Sequence, residues 1–221
     1  FKESAANAKG YIVLANDIDA QGQIFNFGFY GYNSIGGNGS NPYYGFNGTF
    51  DGNGKSIYNF VTGSEGWQTV FGMSTSTREF KDLTLIGSIP SGQYFEGLFG
   101  YMVSGNLNNV YIESSETAAI ANRGTGDLVI NIPDSTTSTL KDGGSSEFDG
   151  CIYSTGKLHF EGSGKLYVYG QQEEGEGIAT TDNDITINGG EIFIESKDDG
   201  INGGGDNGGI ITVNDISGDI I

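Results

Sequence analysis

Leu-His-Phe at 158–160 returns as Ile-Thr-Ile at 185–187 and as Ile-Thr-Val at 211–213, so three similar segments follow one another with offsets of 27 and 26. Between the first two copies, Gly-Lys-Leu-Tyr-Val at 164–168 returns as Gly-Glu-Ile-Phe-Ile at 190–194. Gly, Asn and Asp separate these alternating segments, which is typical of short strands joined by tight turns. A repeat of this length cannot bury a core alone and must stack on its neighbours. The pattern therefore predicts a parallel β-helix.

The same period continues towards the N-terminus. The segment at 80–85 returns at 107–112, and the step from Ile57 to Leu83 has nearly the same length. One period covers most of the 221 residues. We therefore predict an all-β, right-handed parallel β-helix of about eight coils, each of roughly 23–28 residues.

The coils fall into two compositional groups within one continuous solenoid. Residues 1–112 contain the apolar N-terminal coils, and residues 113–221 contain the more polar and acidic ones. Residues 24–46 interrupt the period with many Phe, Tyr, Gly and Asn. Because this segment is longer than a turn requires, we predict an aromatic-rich excursion from the solenoid.

The composition excludes several classes of function. With 28 acidic and 10 basic residues, the formal charge is −18, which argues against binding to nucleic acid or to anionic lipid. The sequence contains no apolar run of about 18 residues, so we predict no membrane insertion. A single Cys cannot form an internal disulfide, and its apolar neighbourhood predicts that Cys151 is a small core residue.

Acidic residues recur before a Gly-apolar step in successive repeats, as in Asp149, Glu176 and Asp199. Adjacent coils lie about 4.8 Å apart, so stacked carboxylates repel one another unless solvent, protonation or a cation offsets the charge. A calcium ion bridging two coils is one interpretation, and a solvated acidic turn face is the other. The candidate metal ligands are Asp149, Glu174, Glu176, Asp182, Asp184, Asp198, Asp199 and Asp206.

Exposed aromatic rings are the second candidate feature, because flat rings stack on the C–H faces of sugars. The aromatic-rich excursion also fits a buried cover over the solenoid or a contact with another protein. The candidate residues for contact with a carbohydrate or a partner are Tyr30, Tyr32, Tyr43, Tyr44, Trp67, Tyr153, Tyr167 and Tyr169.

Two family resemblances cover most of the chain. The segments at 16–19, 46–57 and 97–100 resemble the Gly-Leu-Phe-rich β-helical repeats of bacterial surface adhesins. The segments at 140–143, 150–154, 162–166 and 197–201 look like the bacterial carbohydrate-binding β-helix domain, which is similar in fold to pectate lyases. This second resemblance implies binding of calcium and of plant-type polysaccharide.

These observations favour a non-catalytic, calcium-assisted protein that binds a polysaccharide or a cell-surface glycan, or acts as an adhesin. We expect it to be a prokaryotic protein that is secreted or held at the cell surface. The alternative is a structural subunit of an extracellular filament or layer, because Gly218 to Ile221 end the sequence inside an apparent strand and could support head-to-tail self-assembly. A polysaccharide lyase is the third interpretation. The sequence contains no nucleophile motif, phosphate-binding loop or Cys/His cluster, so we expect no enzymatic activity.

Overall fold

A computed structural model describes residues 10–23, 48–61, 78–88, 104–115, 117–122, 126–143, 148–204 and 208–214. All regular structure in these ranges is β, as predicted. The strands are β1 (Tyr11–Val13), β2 (Ile18–Asp19), β3 (Thr49–Val61), β4 (Arg78–Ser88), β5 (Ser104–Ser114), β6 (Ile120–Asn122), β7 (Leu128–Ile132), β8 (Thr137–Lys141), β9 (Gly150–Ser154), β10 (Leu158–Gly162), β11 (Lys165–Tyr169), β12 (Glu176–Thr180), β13 (Ile185–Ile187), β14 (Glu191–Glu195), β15 (Ile201–Asn202) and β16 (Ile211–Val213).

The strands form a parallel β-solenoid with three walls. Eight strands stack in the order β1-β3-β4-β5-β7-β10-β13-β16 and form the first wall. The second wall contains β2, the C-terminal halves of β3 to β5, and then β8, β11 and β14. The third wall is a separate sheet of β6, β9, β12 and β15, so about four turns have a third wall among the described residues. The predicted parallel β-helix is thereby confirmed.

The repeat offsets read from the sequence are the observed strand registers. Leu158 pairs with Ile185, and Ile185 pairs with Ile211. Leu166 pairs with Ile192 in the same way. The prediction that Ile57 stacks on Leu83 is wrong by two positions, because Ile57 pairs with Leu85 across a register shift in β3 and β4.

Inward side chains form continuous stacks along the solenoid axis. In the second wall, one stack joins Ile57, Leu85, Ile112, Leu140 and Val168, and each of these side chains is 0% exposed. Parallel stacks run through the other two walls. Full burial of one such side chain stabilises the fold by about 1.5–3 kcal/mol. Because the members of a stack come from successive turns, this burial stabilises the packing of each turn on the next. Cys151 is fully buried, as predicted.

Each of the strands β3, β4 and β5 bends, so its first half lies in the first wall and its second half lies in the second wall. β5 pairs with β7 near its start and with β8 near its end, so the proposed boundary after residue 112 lies inside one continuous strand. Asp82 and Asn109 adopt positive φ angles of 47° and 54° at the bends of β4 and β5. Farther along, Gly162 takes this corner with a φ of 100°, where a Cβ would lie 2.1 Å from the Ile132 carbonyl oxygen. The predicted excursion at 24–46 lies outside the described residues.

Candidate functional site

The outward side of the second wall carries aromatic rings. Side chains alternate along β11, so Tyr167 and Tyr169 point outward while Leu166 and Val168 are buried. Tyr167 pairs with Phe193, and their rings stack with centroids 4.8 Å apart and an interplanar angle of 12°. Phe193 is 46% exposed. The two rings therefore cover part of each other's faces, and the rest of the Phe193 ring is open to solvent.

The preceding two strands extend this surface. Tyr111 in β5 lies in the same row as Tyr167, with Thr139 of β8 between them. The Nζ of Lys141 lies 5.4 Å from the ring centroid of Tyr111 and 5.6 Å from that of Tyr169. Cation–π attraction at these distances orders the rings and the ammonium group together. We call the outward residues Tyr111, Lys141, Tyr167, Tyr169 and Phe193 the aromatic face.

Charged groups border the aromatic face. The Tyr111 hydroxyl donates a hydrogen bond to Glu113, and burial together with this carboxylate raises the pKa of Tyr111. The phenol therefore stays protonated at neutral pH. The Tyr111 hydroxyl also raises the pKa of Lys141, which stays an ammonium ion. At the other side, Lys165 Nζ lies 2.6 Å from Glu191 Oε2 in an exposed ion pair.

Polar corner residues hold the edge of this wall in position. Asn109 Nδ2 donates to Asp82 Oδ1 at 3.1 Å, and Asn109 Oδ1 accepts from the Thr137 amide at 3.0 Å. These bonds connect the bends of β4 and β5 to the start of β8. Because Asn and Asp tolerate positive φ and bond locally, they suit this corner.

A buried carboxyl group on the third wall is the second candidate feature. The Glu176 side chain is 3% exposed, its Oε1 accepts from Asn202 Nδ2 at 2.7 Å, and its Oε2 has no hydrogen-bond partner among the described residues. Burial raises the pKa of Glu176 to about 7; the bond from Asn202 opposes this rise, and the neighbouring Asp149 carboxylate adds to it. The two acids are neighbours but not in register, because Glu176 pairs with Gly150, so the predicted direct stacking on Asp149 is wrong by one position.

The other predicted metal ligands are spread over several turns. Asp184 is paired with Lys157, whose Nζ lies 2.8 Å from Asp184 Oδ2. Within the described ranges, no three Asp, Glu, His or Cys side chains come together closely enough to hold a metal ion. The remaining predicted ligands are exposed (Glu174, Asp182, Asp198 and Asp199) or lie outside the described residues (Asp206).

The predicted contact residues divide in a similar way. Tyr167 and Tyr169 both belong to the aromatic face, whereas Tyr153 lies on the third wall, where it contacts Phe148 at 5.1 Å between ring centroids and hydrogen-bonds Thr181. The other predicted residues lie outside the described ranges: Tyr30, Tyr32, Tyr43, Tyr44 and Trp67.

Sequence reasoning missed Tyr111, Lys141 and Phe193. Phe193 was within reach, because the repeat alignment already placed it beside Tyr167. Tyr111 and Lys141 were not within reach, because the aligned copies did not connect their strands, β5 and β8, with β11.

Comparisons with known proteins agree with this architecture. A family model described as "Carbohydrate-binding domain-containing protein" matches residues 85–219, more than half of the chain. This range includes the complete aromatic face. Neither curated proteins nor solved structures give a match. No membrane-spanning helix is found in the described part of the chain.

Proposed function

Because the chain belongs to the family of carbohydrate-binding domain-containing proteins, we propose that it binds polysaccharide without cleaving it and that the aromatic face is its binding surface. The stacked pair of Tyr167 and Phe193 carries this proposal, because it places two adjacent aromatic rings on the outside of the solenoid inside the matched region. Partly exposed rings on an otherwise acidic protein suit a ligand with apolar faces and a polar rim. A pyranose ring has this character.

The polar neighbours of these rings support the same ligand class. Tyr169 and Tyr111 bring hydroxyl groups, and Lys141 brings an ammonium group to the space between them. Binding sites for polar small molecules combine apolar area with a few oriented hydrogen-bonding groups. Here the apolar area lies on β11 and β14, and the polar groups lie on β5, β8 and β11.

The location and context of binding are separate proposals. A location outside the cell or on its surface fits a glycan ligand and a formal charge of −18, which favours solubility among acidic polymers. Within that setting, an adhesin role and head-to-tail self-assembly stay predictions.

Calcium assistance is also proposed, with Glu176 and Asp149 as the carboxylates that would hold the ion. Its support is the buried Glu176 Oε2, an acceptor with no hydrogen-bond partner among the described residues, beside a second acid. Calcium takes six to eight oxygen ligands, so water and backbone carbonyls would have to supply the others. A bound ion would add positive charge between two turns.

Retention on insoluble polysaccharides tests the main proposal. We expect the wild-type protein to be retained and Phe193→Ala to bind about fivefold more weakly, since loss of one stacking ring costs on the order of 1 kcal/mol. Phe193 is half exposed, so its removal leaves the core intact.

Tyr153→Ala is the matched control, because it removes an aromatic ring from the third wall. Equal retention of wild type and Phe193→Ala, or release of sugar fragments during the assay, would contradict the proposal.

A further inference from the structure

A groove lies on the second wall, on the N-terminal side of the aromatic face. It has a volume of about 490 Å³, within the usual range for small-molecule sites. Polar groups on its lining include Asp19, Asn59 and Glu113, and apolar groups include Val61 and Ile86. Ile86 is 39% exposed, so the groove offers an accessible apolar surface between carboxylates.

The groove and the aromatic face are continuous. Strand register places Ile86 beside Glu113, Glu113 beside Lys141, and Lys141 beside Tyr169, in one row of outward side chains. Glu113 connects the two parts, because it lines the groove and accepts the hydrogen bond from Tyr111 of the aromatic face. A ligand lying along this row would therefore contact both.

The acceptors in the groove are held in fixed orientations. Asp19 Oδ1 accepts from Asn59 Nδ2 at 3.0 Å and from the Gln21 amide at 2.9 Å. Tyr111 fixes Glu113 from the opposite side. Oriented carboxylates beside an apolar surface suit a ring with hydroxyl donors at its edge and C–H groups on its face.

The charges select against an acidic ligand. Asp19 and Glu113 bring two negative charges, and Lys141 brings one positive charge to the same row. Lys141 already lies over two rings and beside Glu113, which leaves the groove itself acidic. A sugar carboxylate placed there would be repelled, whereas hydroxyl groups would be accepted.

We propose that the glycan runs along the solenoid axis from the aromatic face into this groove, and that the groove admits an uncharged hexosyl unit and rejects a uronate. This inference rests on the proposed function and adds the direction and the charge class of the ligand. From β14 to β3 there are five strand steps. At about 4.8 Å a step the site is roughly 24 Å long, enough for roughly five sugar units.

Calorimetric titration of oligosaccharides, from disaccharide to hexasaccharide, tests the direction of binding. Cellulose and mannan oligosaccharides are the uncharged probes. We expect affinity to rise through the pentasaccharide. Phe193→Ala should weaken binding at all lengths, whereas Ile86→Ala should weaken only the longest oligosaccharides, by about threefold to fivefold.

Oligogalacturonides of the same lengths test the charge class. We expect Glu113→Gln to bind them at least threefold more tightly than wild type, because it removes a repelling charge, and to bind uncharged oligosaccharides somewhat more weakly, because an amide is a poorer acceptor for their hydroxyl groups than a carboxylate. Glu161→Gln makes the same change on the first wall and should alter neither.

The outcomes separate the two proposals. If no polysaccharide is retained, the proposed function fails. If Phe193→Ala weakens binding but Ile86→Ala does not, the inference about the groove fails alone. Tighter binding of oligogalacturonides than of uncharged oligosaccharides by wild type would also overturn it.

Discussion

Two buried acids on neighbouring turns differ in how their charge is compensated. Asp142 is 2% exposed and accepts hydrogen bonds from the Gln171 amide and from Gln172 Nε2, the latter at 2.7 Å. Burial raises the pKa of Asp142, but these donors oppose the rise. Glu176 has one such donor, Asn202, and an acidic neighbour, Asp149. Its ionised form is therefore the more strongly disfavoured in the folded protein.

Glu176→Gln should change the pH dependence of stability. The pKa of Glu176 is about 7 in the folded protein and about 4.5 without burial, so the folded state holds an extra proton between these values. Wild type therefore loses stability as pH rises from about 4.5 to about 7, by on the order of 3 kcal/mol. Chemical denaturation across this range should show that the free energy of unfolding of the variant rises relative to that of wild type. The difference should be largest above about pH 7.

These denaturation curves should be recorded in chelator, so that no cation compensates the charge. Glu173→Gln, an exposed acid nearby, is the control and should follow wild type. A constant difference between Glu176→Gln and wild type at all pH values would contradict the assignment of the pKa.

Strands β8, β11 and β14 join the core and the aromatic face through their alternation. Leu140, Val168 and Ile194 stack inward, while Lys141, Tyr169 and Glu195 occupy the next outward row. Each outward ring therefore sits on a strand whose position depends on the inward stack. The buried stack therefore helps to hold the aromatic face in position.

Leu140→Ala should destabilise the solenoid by about 2–5 kcal/mol, because it leaves a cavity between Ile112 and Val168. The neighbouring Thr139 points outward, so Thr139→Ala should lower the free energy of unfolding by less than about 0.5 kcal/mol. Urea denaturation followed by circular dichroism measures both. Similar midpoints for the two variants would show that the inward stack does not carry the predicted energy.

At the scale of the molecule, charge separates the surface into regions. The formal charge of −18 repels polyanions, and the aromatic face offers a local apolar surface with Lys141 and Lys165. The third wall adds the exposed Asp149 beside the buried carboxyl group of Glu176, on a different wall from the glycan surface we propose. Calcium at this pair would act on stability rather than on contact with sugar.

Calcium should raise the melting temperature of the wild-type protein, since an ion that binds only the folded chain stabilises it by mass action. At a calcium concentration about a hundredfold above Kd, the gain is about 2.7 kcal/mol. Glu176→Gln should abolish most of this gain, and Asp184→Asn should retain it, because Asp184 is paired with Lys157. Identical melting curves of wild type in calcium and in chelator would exclude the proposed site.

The sequence by itself determined the solenoid, because coils that stack in register must have nearly equal lengths. The evenly spaced copies at 158–160, 185–187 and 211–213 therefore predicted the pairing of β10, β13 and β16, and Tyr167 and Tyr169 could be named as candidate contact residues. Local periodicity carries this information because strand and turn geometry repeat with the chain.

Only the tertiary structure decided which side chains share a surface. The chain is longer between Ile120 and its partner Ile152 than between Ile152 and its partner Ile178, so connections of unequal length shift each turn. The one-position displacement of Asp149 from the partner of Glu176, and the register that brings Tyr111 and Lys141 into the aromatic face, are seen only in the assembled turns. A shift of strand register by one residue moves a side chain to another position or to the other face of the sheet. The register depends on the lengths of all the connections in a turn, and a local sequence pattern does not contain that information.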